Sequence, residues 1–282
     1  MNTLYYNFCG VPVKLEAAQP LGEREQSHLF RTEETEPALT LTLEARRELP
    51  EPSGILCGGQ GERTVYRNAN TVLRRSRDLF RPAPHMDACY SLDEPGTVRC
   101  LVREEDWGWA TRDKYLWTGA ALNQLLLHQR TLFFHASYIT CRGRGILFTA
   151  PSQTGKSTQA ELWRKYRGAQ VVNGDKAAVS LREGPEIHSI PFSGTSGICH
   201  NVSAPLAAVV VLSQAPRNTV RRMGPIEAVS AVCPNVFADQ TVPEEWAMAL
   251  NLMLDLAASV PVYALACTPD EGAVIALEEA MK

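Results

Sequence analysis

The sequence lacks a charge field of one sign: 28 Lys and Arg against 31 Asp and Glu leave a formal net charge of −3. Without a broad basic surface to attract a phosphate backbone, nucleic acid is not an expected partner. No run of about 18 apolar residues occurs, so no segment is expected to span a bilayer and no membrane partner is expected. The opening residues MNTLYYNFCGVPVKLE lack a basic stretch followed by an apolar one and are not read as a secretory signal. Eight cysteines are scattered along the chain and no two form a CxxC pair, which argues against a zinc site. They are read as reduced thiols of a cytoplasmic protein. No internal repeat is visible. What is present is a globular balance over 282 residues, 45% hydrophobic and 21% charged, enough for one large domain or two modest ones.

Two regions differ in pattern. Residues 1–114 read as strand-rich. Leu39 to Leu43 alternate with the strand period, and Thr64 to Arg67, Thr71 to Leu73 and Val98 to Val102 are further short strands between turn signals. This region is a candidate for recognising a substrate or partner. Residues 115–282 read as α/β. A helix is expected from about Tyr115 to Arg130, a strand over Thr131–Ile139, and a glycine-bearing hairpin turn at Cys141–Gly145 leading into a strand over Ile146–Thr149. Then come a helix from Lys156 to Arg167 capped by Gly168, and strands near Ala169–Val172, Ala177–Leu181 and Ile187–Ile190. Leu206–Leu212 is a continuous apolar strand. Glu244–Ser259 is apolar nearly all round and reads as a buried helix. A strand at Val262–Ala266 and a helix from Asp270 to Met281 follow.

The chemistry concentrates in Ala150-Pro151-Ser152-Gln153-Thr154-Gly155-Lys156-Ser157-Thr158. Strand, glycine-bearing turn and helix start occur there in the order a phosphate loop requires. Gly155 can wrap the backbone around an anion, and the amides at the helix start favour negative charge. Ser152, Gln153, Thr154, Gly155, Lys156, Ser157 and Thr158 are the expected nucleotide-binding set. Lys156 would reach the terminal phosphates of ATP, and the Ser157 hydroxyl would take Mg²⁺. The pattern departs from GxxxxGK[ST] at Ala150, which replaces the first glycine. That position needs only a negative φ for the loop to survive. Pro151 has no amide hydrogen, so donors begin at Ser152. After the next strand, Asn173-Gly174-Asp175-Lys176 returns beside the loop. Asp175 is placed to hold Mg²⁺, or else it belongs to an ordinary Asn-Gly-Asp turn.

On His135, Gly143, Gly145, the Ala150–Ser157 loop and Gly174-Asp175-Lys176, the chain from about Phe134 to Leu181 resembles the HPr kinase/phosphorylase family and its HprK-like relatives. Ile190-Pro191-Phe192-Ser193-Gly194-Thr195-Ser196-Gly197 is similar to a Pro-aromatic-Ser-Gly turn of those proteins. The resemblance implies a phosphate-loop kinase domain with a mixed sheet, shared with ATP-dependent phosphoenolpyruvate carboxykinases, behind a smaller strand-rich N-terminal region. It implies ATP and Mg²⁺ as cofactors and an unidentified serine-type hydroxyl acceptor on a small molecule, peptide or protein. Where the family has two aspartates, this chain has Gly174 and Asp175. Asp175 is then left with the metal or the base role, and His135 is either the candidate for taking the acceptor's proton or a half-buried strand histidine bonded to the backbone. His135, Lys156 and Asp175 form the expected catalytic set, and Ser157 and Asp175 the metal set. The alternative is a nucleotide-binding protein that has lost catalysis and recognises a peptide or protein partner. Two further stretches are left open: Ser193–Gly197 forms either a second anion nest or a plain turn, and Arg217, Arg221 and Arg222 are either the source of a transition-state cation or an ordinary solvated turn.

Overall fold

The computed structural model describes residues 2–59, 62–78, 81–192 and 197–282. The second anion nest or plain turn read at Ser193–Gly197 falls largely on 193–196, outside the described residues. The chain divides into two compact units: Met1–His128 with Asp239–Trp246, and Gln129–Ala238 with Ala247–Lys282.

The first unit is built on one eight-stranded sheet. Its strands are β1 (Asn2–Phe8), β2 (Val11–Ala17), β3 (Leu39–Arg46), β4 (Ile55–Gly58), β5 (Arg63–Asn68), β6 (Thr71–Asp78), β7 (Arg81–Ser91) and β8 (Thr97–Arg103), in the order β1-β2-β3-β8-β7-β6-β5-β4. The β2–β3 and β3–β8 pairs are parallel; the others are antiparallel. The alternation read at Leu39–Leu43 is the burial pattern of β3, where Leu39, Leu41 and Leu43 are buried. Three short helices follow, α1 (Trp107–Ala110), α2 (Asp113–Gly119) and α3 (Leu122–His128). Trp117 of α2 is fully buried, edge-on to Tyr6 and Phe8 of β1. The single helix expected from about Tyr115 to Arg130 is therefore two, broken at Ala120–Ala121. Ala121 takes a φ of 59° there. Gly119 lies so near the Met86 sulfur that a Cβ would come within 2.6 Å of it. Apolar spacing does not register a break when the residues on both sides of it are buried.

The second unit carries β9 (Thr131–Cys141), β10 (Arg144–Thr149), α4 (Lys156–Arg167), β11 (Gln170–Asn173), β12 (Lys176–Ser180), β13 (Glu186–His188), β14 (Ser203–Gln214), β15 (Thr219–Arg222), α5 (Pro225–Val232), α6 (Pro243–Ser259, from Ala247 on), β16 (Val262–Cys267) and α7 (Glu271–Ala280). The sheet runs β10-β9-β12-β13-β14-β16-β15, with β11 on β9 and a further pairing of β10 with β14. It is mixed, as expected: β10–β14 and β14–β16 are parallel, the remaining pairs antiparallel. The hairpin between β9 and β10 turns on Arg142 and Gly143, both with positive φ (52° and 73°), the conformation that suits a two-residue hairpin. Helix α4 has the bounds read from the sequence and ends on Gly168 at φ 64°. The Gly168 amide donates to the Arg164 carbonyl at 3.1 Å, the bond of a left-handed glycine cap, and the Ala169 amide to the Trp163 carbonyl.

Phe148 and Val210 from the sheet, Ala160 and Trp163 from α4, and Val274 and Leu277 from α7 belong to one buried cluster. Helix α6 departs from the expected all-round burial. Ala249, Leu252, Met253 and Leu256 are buried, while Leu254 is exposed, so its apolar content is one-sided in effect. All eight cysteines are free thiols. No helix among the described residues is long and apolar enough to cross a membrane.

Candidate functional site

Strand β10 delivers the chain to the loop at Thr149, and Ala150 is fully buried with no positive φ. The missing first glycine therefore causes no backbone conflict. The positive angles fall instead on Gln153 (φ 64°) and on Gly155 (φ 114°). Gly155 is the N-cap of α4, and no side chain caps the helix there. The first amides of α4 thus remain available at the positive end of the helix dipole. Ser152 and Gln153 are exposed and Thr154 is partly so; Ser157 and Thr158 are exposed in the first turn. Gln214 at the end of β14 donates to the Gln153 carbonyl at 3.4 Å, tying the loop to that strand end. Lys156 turns inward. It is 7% exposed, and Nζ donates to the carbonyls of Ala150 (2.9 Å) and Pro151 (3.2 Å).

Strand β9 crosses beside the loop. Its Ala136 pairs with Thr149 of β10, and its His135 pairs with Lys176 of β12. The Asn173–Lys176 turn is held there by side chains that no motif singles out. Buried Asn173 accepts from the amides of Asp175 (3.1 Å) and Lys176 (3.0 Å) and donates to the Phe192 carbonyl (2.8 Å). The Ser137 hydroxyl donates to Gly174 O at 2.8 Å, and the Ala136 amide to Asp175 O at 2.9 Å. The Thr149 hydroxyl donates to His135 O at 3.1 Å. So fixed, the Asp175 carboxylate stands 3.3 Å from His135 Nε2. Turn chemistry and a carboxylate at the strand end are both present, on different residues.

A family model described as "SynChlorMet cassette protein ScmC" matches residues 117–273, more than half of the chain. The chain belongs to the ScmC family. No curated protein matches it. Among solved structures, the Hpr(Ser) kinase/phosphatase from Coxiella burnetii is 12% identical, with a TM-score of 0.30, over 53% of this chain and 92% of that one.

In this ScmC-family chain the site's charges act on one another. Burial lowers the His135 pKa, and the Lys156 and Lys176 cations lower it further, while Asp175 pulls it up. Burial lowers the Lys156 pKa, with Asp175 opposing. The structure thus brings His135, Asp175 and Lys156 into one electrostatic neighbourhood. No hydrogen bond or ion pair joins Ser157 to Asp175 among the described residues. Nor do these residues hold a cluster of three or more His, Cys, Asp or Glu suited to a metal. Asp175 and the Ser157 hydroxyl are both hard oxygen donors, which fits Mg²⁺, an ion that takes few protein ligands and completes its shell with phosphate and water. Arg221 is engaged elsewhere, in a two-pronged pair with Glu227, on β15 at the outer edge of the sheet. Lys176 Nζ lies 5.2 Å from the Phe192 ring centre and 5.6 Å from that of Phe237, whose ring is 6.4 Å from His135. The sequence pattern did not single out Phe237 or Asn173. The only signal for Asn173 was the Asn-Gly-Asp turn itself.

Proposed function

We propose that this chain is an ATP-dependent kinase that transfers the γ-phosphate to a hydroxyl of serine type on a small molecule, peptide or protein. The observation that carries this reading is the junction of an uncapped helix start, its buried Lys156, and the Asp175–His135 pair one strand away. The amides from Ser152 to Thr158 hold the phosphates, and Lys156 exchanges two carbonyl partners for phosphate oxygens. Ser157 and Asp175 would hold Mg²⁺, which would supply positive charge against the transferring phosphoryl group.

His135 takes the proton. Its Nε2 faces Asp175, which leaves Nδ1 as the basic nitrogen. As the acceptor oxygen bonds to the γ-phosphorus and the bond to the bridging oxygen breaks, the hydroxyl proton passes to Nδ1 and ADP leaves. The resulting imidazolium is stabilised by the carboxylate 3.3 Å away.

The test is ADP release from Mg-ATP, with and without candidate hydroxyl acceptors such as free serine. Lys156→Ala is expected to lose about 10²- to 10³-fold in turnover, the usual effect of removing a group that meets transition-state charge. Unchanged turnover in that variant would refute the phosphate-loop assignment. Tight ATP binding with no turnover under any acceptor would instead support the reading without catalysis.

A further inference from the structure

The carboxyl ends of three parallel-running strands, β10, β14 and β16, lie side by side, with Thr149 opposite Val211 and Gln214 opposite Cys267. Ligands of open α/β sheets gather outside such ends. On the β10 side of this edge stands the phosphate loop, and beyond it His135 and Asp175. On the β14–β16 side lies a cavity of about 600 Å³. Gln153, Thr154 and Gly155 of the loop form one wall of it, so loop and cavity adjoin. The volume is within the range of small-molecule sites. Leu212, Ala215 and Pro269 give it flat apolar surface. Its rim at Thr268 is fixed by Asn218, whose Oδ1 accepts from the Thr268 amide (2.9 Å), and by Asp270, whose carboxylate accepts from the Thr268 hydroxyl (2.6 Å).

One lining group is left unsatisfied. Gln159, one turn into α4, is 2% exposed; its Nε2 donates to the Cys267 sulfur at 3.2 Å, and its Oε1 is buried with no hydrogen-bond partner among the described residues. A buried amide oxygen without a donor is costly unless a ligand supplies one. Turning the amide over would give Oε1 the weak thiol donor and leave the NH₂ unpartnered, so the deficit stays at the same wall.

We infer that this cavity takes the adenine end of the nucleotide and that Gln159 reads its exocyclic amino group. The inference rests on the proposed nucleotide reading. Across the sheet edge the order is then acceptor site at β9 and β12, phosphates at β10, base at β14 and β16. The lining carries no Asp or Glu. The paired N–H donors on the edge of guanine call for a carboxylate, whereas an amide matches the mixed donor and acceptor edge of adenine.

The experiment is alkylation of Cys267 by iodoacetamide, followed by peptide mass spectrometry on the full chain, with exposed Cys57 as internal control. Mg-ATP and adenosine are each expected to slow Cys267 labelling at least several-fold, and tripolyphosphate, which fills only the loop, to leave it unchanged. In parallel, Gln159→Leu is expected to cut the preference for ATP over GTP about 10-fold, one neutral hydrogen bond's worth. If ATP binds in a Lys156-dependent way but Cys267 stays as reactive as before, or tripolyphosphate protects it equally, the base lies elsewhere and only this inference falls. If the wild-type chain binds no nucleotide, the kinase reading falls and this one with it.

Discussion

Asn173 organises the site through one side chain: its oxygen caps two backbone amides and its nitrogen fixes the Phe192 segment. The residues it positions set a pH dependence whose sign follows from the surroundings of His135. Burial and two lysines lower its pKa from the ordinary 6.5, so the imidazole is neutral and basic at pH 7. The acidic limb of kcat/KM is therefore expected below the usual imidazole range. Lys176→Met removes one cation that favours the neutral form, so the limb should move up; a pH–rate profile that ignores Lys176 would remove His135 from the proton step.

A second histidine affects stability rather than catalysis. His188 is buried, with Nδ1 2.7 Å from the Ser203 hydroxyl; burial first and then Arg182 push its pKa down to about 4, despite Glu186 at 3.3 Å without hydrogen-bond geometry. A depressed histidine pKa means the unfolded chain binds the extra proton first. Stability is then whole above the unfolded value near 6.5 and declines as pH falls toward 4, by about 3 kcal/mol at most. His188→Gln should flatten that part of the pH dependence of urea unfolding.

At the scale of elements, the β9–β10 hairpin shows what the sequence disclosed and what it did not. Its turn was legible in the glycine-bearing stretch Cys141–Gly145, and the end of helix α4 in Gly168. Gly145 was read with the same turn, but it serves another purpose. It lies in β10, where an added Cβ would come 2.2 Å from Ile187 Cγ2 of β13 and 3.2 Å from the Tyr138 ring. That contact joins residues far apart in sequence, and local pattern has no access to it. Gly145→Ala is expected to cost about 1–3 kcal/mol in urea unfolding, as overpacking does. In an Ile187→Ala background the same substitution should cost much less, because the two positions share one contact and their effects are then not additive. The same limit explains α6, whose composition fitted burial all round while its neighbours cover only one face. It also explains why Asp175 was legible as an oxygen donor but Asn173 was not legible as the residue that holds the Asp175 turn.

At the scale of the whole molecule, the first unit is not a contiguous stretch of chain: it takes back Asp239–Trp246 from far downstream. What holds that segment is a buried charge network. Arg74 of β6, 4% exposed, pairs with Asp239 and, through Nη2 at 2.5 Å, with Glu245, which is itself 1% exposed and accepts from the Tyr90 hydroxyl at 2.6 Å. Burial works against the Arg74 charge, but Tyr90, Glu245 and Asp239 outweigh it and raise its pKa. These partners are 165 and 171 residues away in sequence, and a boundary drawn from a local change of residue pattern, as between residues 114 and 115, carries no information about them. A fragment 1–128 would keep Arg74 and lose both carboxylates. Leaving one buried charge without its partner typically costs about 3–5 kcal/mol, whereas replacing the whole set by apolar side chains is close to neutral. The fragment is therefore expected to melt well below the first unit of the intact chain. Arg74→Met within the fragment should raise its melting temperature, while the same substitution in the intact chain should lower stability by stranding Asp239 and Glu245. Circular dichroism melts of the four proteins measure this, and equal effects of Arg74→Met in both contexts would show that the returning segment is held by packing rather than by charge.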